Sequence, residues 1–246
     1  MFFLAAAHPA LVQSAITAQD VPWKRDLVAF EAELAKREAA FPAEKVSGDT
    51  REGTKPLLAH LRDLDQFGRG YWNAPHVHGY AGTASEQSFR AAFQLRMRAL
   101  DAKNLHIFKR LLDHWGWFDR RTWGAQADHD AWLLAQHADD DLPFQEHVLT
   151  LLEPLVKSGG TDPSGFAYLF DRVAVNAHRL QRFGTQGYCT GPGTWKPRPI
   201  EDPKHVDARR KTMGLEPLAG YIASFKGICH EDQTEQALKA LPLPGK

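Results

Sequence analysis

The sequence predicts an all-α fold, an irregular helical bundle broken near its C-terminal part by a Gly/Pro-rich loop. Three observations carry this. Apolar residues recur at helical spacing in successive segments, those segments open on capping residues or prolines, and no credible run of alternating strands appears. No internal repeat is present.

The helix expected over 163–182 is the most informative. Asp162 suits the N-cap and Pro163 the first helical position, where its missing N–H would be unbonded anyway. Phe166, Leu169, Phe170, Val173, Ala177 and Leu180 form one stripe facing the core, while Tyr168 and Val175 lie nearly opposite. A helix apolar on two faces is covered on both, which places Asp171 and Arg172 at least partly out of water. Charges there need partners, because a buried charge stripped of its partner costs about 3–5 kcal/mol.

In chain order, residues 24–41 form an amphipathic helix with Leu27, Phe30, Leu34 and Phe41 at helical spacing, ended by Pro42. The polar stretch containing Gly48, Gly53 and Pro56 reads as a linker. A second helix runs from Leu57 to about Phe67, with Asp65 and Arg69 one turn apart at its end, and a loop rich in glycine and aromatic residues follows over 68–84. Ser85 caps a long helix whose stripe, from Phe89 to Leu111, is interrupted by Asn104. Trp115, Gly116, Trp117 and Phe118 make an aromatic turn. Helices follow at 125–138, 143–157 and 163–182. Residues 184–199 form the Gly/Pro-rich loop, and two short helices close the fold, near 203–213 and from Pro217.

At 246 residues the chain can bury a real core. It divides into a possible signal peptide (1–18), an N-terminal helix and linker (19–56), a main helical domain (57–225) and a C-terminal tail (226–246). Net charge is +0 and the isoelectric point about 7.2, so no global field attracts nucleic acid or anionic membrane. The short basic clusters lack a stacking platform, and nucleic-acid binding is not expected. The N-terminus is apolar and rich in small residues, with Ile16-Thr17-Ala18 as a cleavage site before Gln19, although it lacks a basic start. This reads as export to the periplasm or medium; the alternative is an ordinary N-terminal helix in a cytoplasmic protein. No other segment is long and apolar enough to span a bilayer. In an exported protein Cys189 and Cys229 would pair; otherwise they are two buried thiols.

Twelve histidines raise the question of metal binding. His137 is followed by Asp139, Asp140 and Asp141, but no H-E-x-x-H or paired C-x-x-C spacing accompanies it, so neither metal ligands nor a cofactor are assigned. Ser158 and Ser164 read as caps or turns, and no G-x-S-x-G elbow or phosphate-cradling loop is present.

Asp65-Gln66 with Arg69, Asn104, Gly116-Trp117, Gln136-His137-Ala138-Asp139, Phe144-Gln145, Asp171-Arg172-Val173, Gln181, Gly184-Thr185-Gln186, Asp202, Arg209-Arg210 and Gly214-Leu215 recur in a pattern. In these residues, over about 57–225, the chain resembles a bacterial family catalogued as a domain of unknown function. It departs at Phe183, where the family more often carries Tyr. The resemblance singles out residues without assigning them a reaction.

Asp65, Arg69, His137, Asp139, Asp171, Arg172 and Gln186 interrupt or flank apolar helices, and are expected to satisfy one another around one polar cavity. For an enzyme of hydrolysis or group transfer on a small polar substrate, His137 is the general base or acid and Asp171 or Asp139 orients it. Arg172 or Arg69 then holds an anionic group and Gln186 donates to developing negative charge, while Gln66, Gln145, Gln181 and Thr185 join the ligand-binding set. Two alternatives use the same residues, a non-catalytic module that holds a small polar or anionic ligand and a purely structural network. Oligomeric state is left open.

Overall fold

The computed structural model describes residues 22–43, 46, 48–72 and 84–229. The expected signal segment, part of the loop over 68–84 and most of the C-terminal tail lie outside them. The described chain is predominantly α, as expected. In order it forms α1 (Pro22–Ala40), α2 (Arg51–Trp72), α3 (Ala84–Trp115), α4 (Ala125–Gln136), α5 (Leu142–Ser158), α6 (Pro163–Asn176), the hairpin β1 (Gly187–Gly191) and β2 (Thr194–Pro197), α7 (Val206–Thr212) and α8 (Leu218–Ser224).

The largest core lies where α2 to α6 meet. Leu57, Leu58 and Leu61 of α2 pack with Phe108 and Leu111 of α3, Ala131 and Leu134 of α4, Val148 and Leu152 of α5, and Leu169 and Val173 of α6. A second cluster fastens α1, with Phe30 stacked on Phe67 and tilted against Tyr71 and Phe93. A third, around Cys189, Trp195 and Cys229, sits between the hairpin and α8.

Three expectations need correction. The linker is shorter than its glycines and proline suggest, because α2 starts at Arg51 rather than Leu57. Thr50 supplies the cap, its hydroxyl accepting the Gly53 N–H at 3.2 Å. Pro56, one turn inside, costs roughly 3 kcal/mol. Leu57 and Leu58, both 0% exposed, outweigh it at about 1.5–3 kcal/mol each.

The helix expected over 163–182 stops at Asn176. His178 takes a left-handed conformation (φ 59°), and the Arg179 N–H donates to the Ala174 carbonyl at 2.7 Å, turning the chain back across α6. Leu180 is consequently 56% exposed instead of lying on the core stripe.

Finally, the Gly/Pro-rich loop contains the antiparallel hairpin, with Cys189 opposite Trp195 and a bulge before Gly191. Gly187 permits the close approach, since a Cβ there would lie 2.1 Å from the Trp195 ring.

Candidate functional site

His137 is the C-cap of α4, so the helix end fixes its backbone while its side chain leaves the helix toward α2. Its Nδ1 lies 2.9 Å from both carboxylate oxygens of Asp65. That carboxylate is 1% exposed and also accepts from Gln66 Nε2 at 2.7 Å and from Arg69. Arg69 in turn donates to both oxygens of Asp101 on α3, at 3.2 and 3.3 Å. Burial pushes the Asp101 carboxyl above the usual carboxylate range, against the downward pull of Arg69. A carboxylate against Nδ1 fixes the proton there in the neutral imidazole, leaving the Nε2 lone pair free. Nε2 has no partner among the described residues.

A second cluster follows directly in sequence. Asp139 accepts a two-pronged pair from Arg172, Nε at 2.7 Å and Nη2 at 2.6 Å, together with Asn176 Nδ2 at 3.2 Å. Burial pushes its carboxyl up, but these bonds prevail and hold it below the usual range. Gln145, fully buried, ties this cluster to the end of α4 by donating to the Ala135 and Gln136 carbonyls at 3.1 Å, with Asp139 Oδ1 at 3.5 Å.

The third cluster shapes a loop. The Asp171 carboxylate, 0% exposed, accepts the backbone N–H groups of Arg182, Phe183 and Thr185 and the Thr185 hydroxyl, at 2.7 to 3.1 Å. Gln181 donates to the Gln186 and Arg198 carbonyls and accepts the Gln186 N–H. Gln186 Nε2 donates to the Thr185 hydroxyl at 3.2 Å. Arg210, also 0% exposed, donates to the Phe183 and Glu216 carbonyls, and the Tyr221 hydroxyl donates to the Thr185 carbonyl at 3.0 Å. Phe183 packs its ring edge-on against Phe170.

The expected single cavity is thus three clusters. Asp65, Arg69 and His137 meet. Neither Asp139 nor Asp171 orients His137: the first is committed to Arg172, and the acceptor positions of the second are filled by the loop. Gln181, Thr185 and Gln186 brace that same loop. Asp101 is absent from the sequence-derived set, although it lies one turn before Asn104, the residue whose polarity breaks the α3 stripe. The buried pair Asp128 and Asp130 of α4 is absent from it as well, and Arg210, named in sequence only within the recurring pattern, has no buried role there. Among the described residues no group of three or more His, Cys, Asp or Glu could hold a metal ion, and no helix is long and apolar enough to cross a membrane. Cys189 and Cys229 are joined by a disulfide.

No curated protein and no solved structure matches the chain. A family profile matches residues 80–229, so that Asp65 and Arg69 precede the matched stretch and His137 lies within it. By that match the chain belongs to a family of unknown function, DUF6624.

Proposed function

We propose that the protein is an exported enzyme that uses His137 for proton transfer in hydrolysis or group transfer on a small polar substrate. The observation that carries this reading is the asymmetry of the imidazole, with Nδ1 held by a buried carboxylate and Nε2 uncommitted. In that arrangement Nε2 takes a proton from a water or hydroxyl as its oxygen attacks an acyl or phosphoryl centre, then returns it to the leaving group. Asp65 is the positioning residue: it fixes the tautomer and stabilises the imidazolium that forms. The Arg69 and Asp101 pair keeps Asp65 in place. Export is supported by the Cys189–Cys229 disulfide, since such bonds persist in oxidising compartments. A binding module that holds an anion on Arg172 or Arg69 is less well supported, because both guanidinium groups already face carboxylates.

The test is a panel of chromogenic carboxylic esters, phosphate esters and amides, run on wild type, His137→Ala and Asp65→Asn with the fold of each checked by circular dichroism. Turnover of one class by wild type is expected. It should vanish in His137→Ala and fall about 10²–10⁴-fold in Asp65→Asn, the range of a general-base contribution. Nitrogen-15 spectra should show the proton on Nδ1. Turnover that survives His137→Ala, or an Nε2-protonated ring in wild type, overturns the assignment.

A further inference from the structure

At the opposite end of α4 from His137, a cavity of about 400 Å³ opens between the first turns of α4 and the start of α6. That size is at the lower end of small-molecule sites, about 300–1,000 Å³. One wall is Trp132, held in place because its Nε1 donates to the Gly165 carbonyl at 2.7 Å. Gly165 makes the approach possible, since a Cβ there would come within 3.2 Å of the indole. The His129 ring lies beside it, 5.5 Å between centroids.

The charges in the cavity are arranged around Asp128, which is 2% exposed. Its Oδ1 accepts from Trp117 Nε1 and from the Thr161 hydroxyl, both at 2.7 Å, and its Oδ2 accepts the Asp162 N–H at 3.2 Å. Arg120 Nε is 3.9 Å from that same Oδ2, too far for a hydrogen bond, and the guanidinium pairs with no other carboxylate among the described residues. Backbone bonding from the Arg120 N–H to the Gly160 carbonyl, at 2.7 Å, keeps Arg120 beside the segment that carries Asp162. The Asp162 carboxylate is exposed and, among the described residues, bonds only Ser164, through its N–H and its hydroxyl. One cavity therefore offers a guanidinium with unused donors, an accessible carboxylate and a fixed aromatic wall. Two carboxylates against one guanidinium disfavour a doubly charged anion and favour a ligand that brings a positive charge of its own.

We propose that this cavity binds a free α-amino acid, its carboxylate on Arg120, its ammonium on Asp162 and its side chain against Trp132. Arg120 supplies the planar donor fork that suits a carboxylate, and Trp132 supplies apolar surface at little entropic cost.

Isothermal titration of the full chain with glycine, L-alanine, L-leucine and L-phenylalanine tests this, alongside N-acetyl-L-phenylalanine and L-phenylalanine amide. At least one free amino acid should bind, with apolar side chains preferred over glycine. Removing either the ammonium or the carboxylate should weaken binding about tenfold or more. Arg120→Ala, at a half-exposed side chain, should do the same, as should Asp162→Asn, which keeps a capping side chain at the start of α6. Absence of heat with all four amino acids, either blocked form binding as tightly as free L-phenylalanine, or binding unchanged in Arg120→Ala each overturns the proposal.

Discussion

Asp171 holds Thr185 twice, its carboxylate accepting the backbone N–H at 2.9 Å and the side-chain hydroxyl at 3.0 Å. With the N–H groups of Arg182 and Phe183 on the same carboxylate, one buried side chain sets the path of the chain from α6 to the hairpin. Asp171→Ala leaves three N–H groups and a hydroxyl without their acceptor. Each such buried orphan costs roughly 1–3 kcal/mol, and partial access of water brings the expected loss to about 3–5 kcal/mol. Urea denaturation measures it, and a change below about 1 kcal/mol would place the loop's support elsewhere.

The disulfide acts on the same region from the other side. It joins the hairpin to Cys229, five residues beyond the end of α8, across a sequence separation of 40, with Trp195, Tyr221 and Phe225 packed around it. Closing a loop of that length stabilises by about 2–4 kcal/mol, mainly by restricting the unfolded chain. Cys189→Ala with Cys229→Ala is therefore expected to lower stability by that amount while leaving the contacts of α2 to α5 intact. Denaturation curves of the double variant and of reduced wild type should coincide. A double variant as stable as the oxidised protein would remove the bridge from the account.

The start of α6 was legible in sequence because its signals are local, an Asp cap followed by Pro at the first position. Its end was not legible, because what stops it is the capture of the chain at 182–185 by Asp171, a contact across more than ten residues. The apolar stripe alone carried the helix on to Leu180. The hairpin was hidden for a related reason: its strands are only 5 and 4 residues long, and their glycines and prolines read as loop. His137 and Asp65 could each be singled out, but their meeting joins positions 72 residues apart and no spacing rule reaches that far. Asp139 and Asp171 are near His137 and Arg172 in sequence, but the partner of His137 is set by the packing of α2 against α4. Asp101 leaves only a faint trace, one turn from a break in a stripe, and Arg210, although part of the recurring pattern, sits in a short basic cluster that reads as surface rather than as a buried cation.

The Asp139 and Arg172 pair makes stability depend on pH with a definite sign. The folded carboxyl is held below its ordinary value, so the unfolded chain binds the proton more readily. Its stabilisation is then complete above the ordinary carboxylate range and disappears as the pH falls through the depressed folded value. Wild type should exceed Asp139→Asn in unfolding midpoint at neutral pH, and the difference should shrink steadily on acidification. A difference that is constant from neutral to strongly acid pH would mean that the charge on Asp139 contributes nothing.

Arg210 is a buried cation that works through carbonyl groups. Its Nε donates to the Glu216 carbonyl at 2.6 Å and its Nη1 to the Phe183 carbonyl at 2.7 Å, while its Cζ lies 4.9 Å from the centre of the Tyr221 ring. Two carbonyls on different segments are thereby served by one rigid fork, which ties α7 to the loop that Asp171 shapes. A lysine keeps the charge but presents it as a compact ammonium on a flexible stem, without the fork or the flat face that stacks on a ring. Arg210→Lys is expected to lose about 2–4 kcal/mol, since a carbonyl is left unpaired and the buried ammonium is incompletely bonded. Arg210→Met, which removes the charge together with the donors, separates the two contributions. If Met is tolerated better than Lys, burying an ill-fitting charge is the larger cost; if Lys matches wild type in chemical denaturation, the bidentate geometry is not what holds α7 in place.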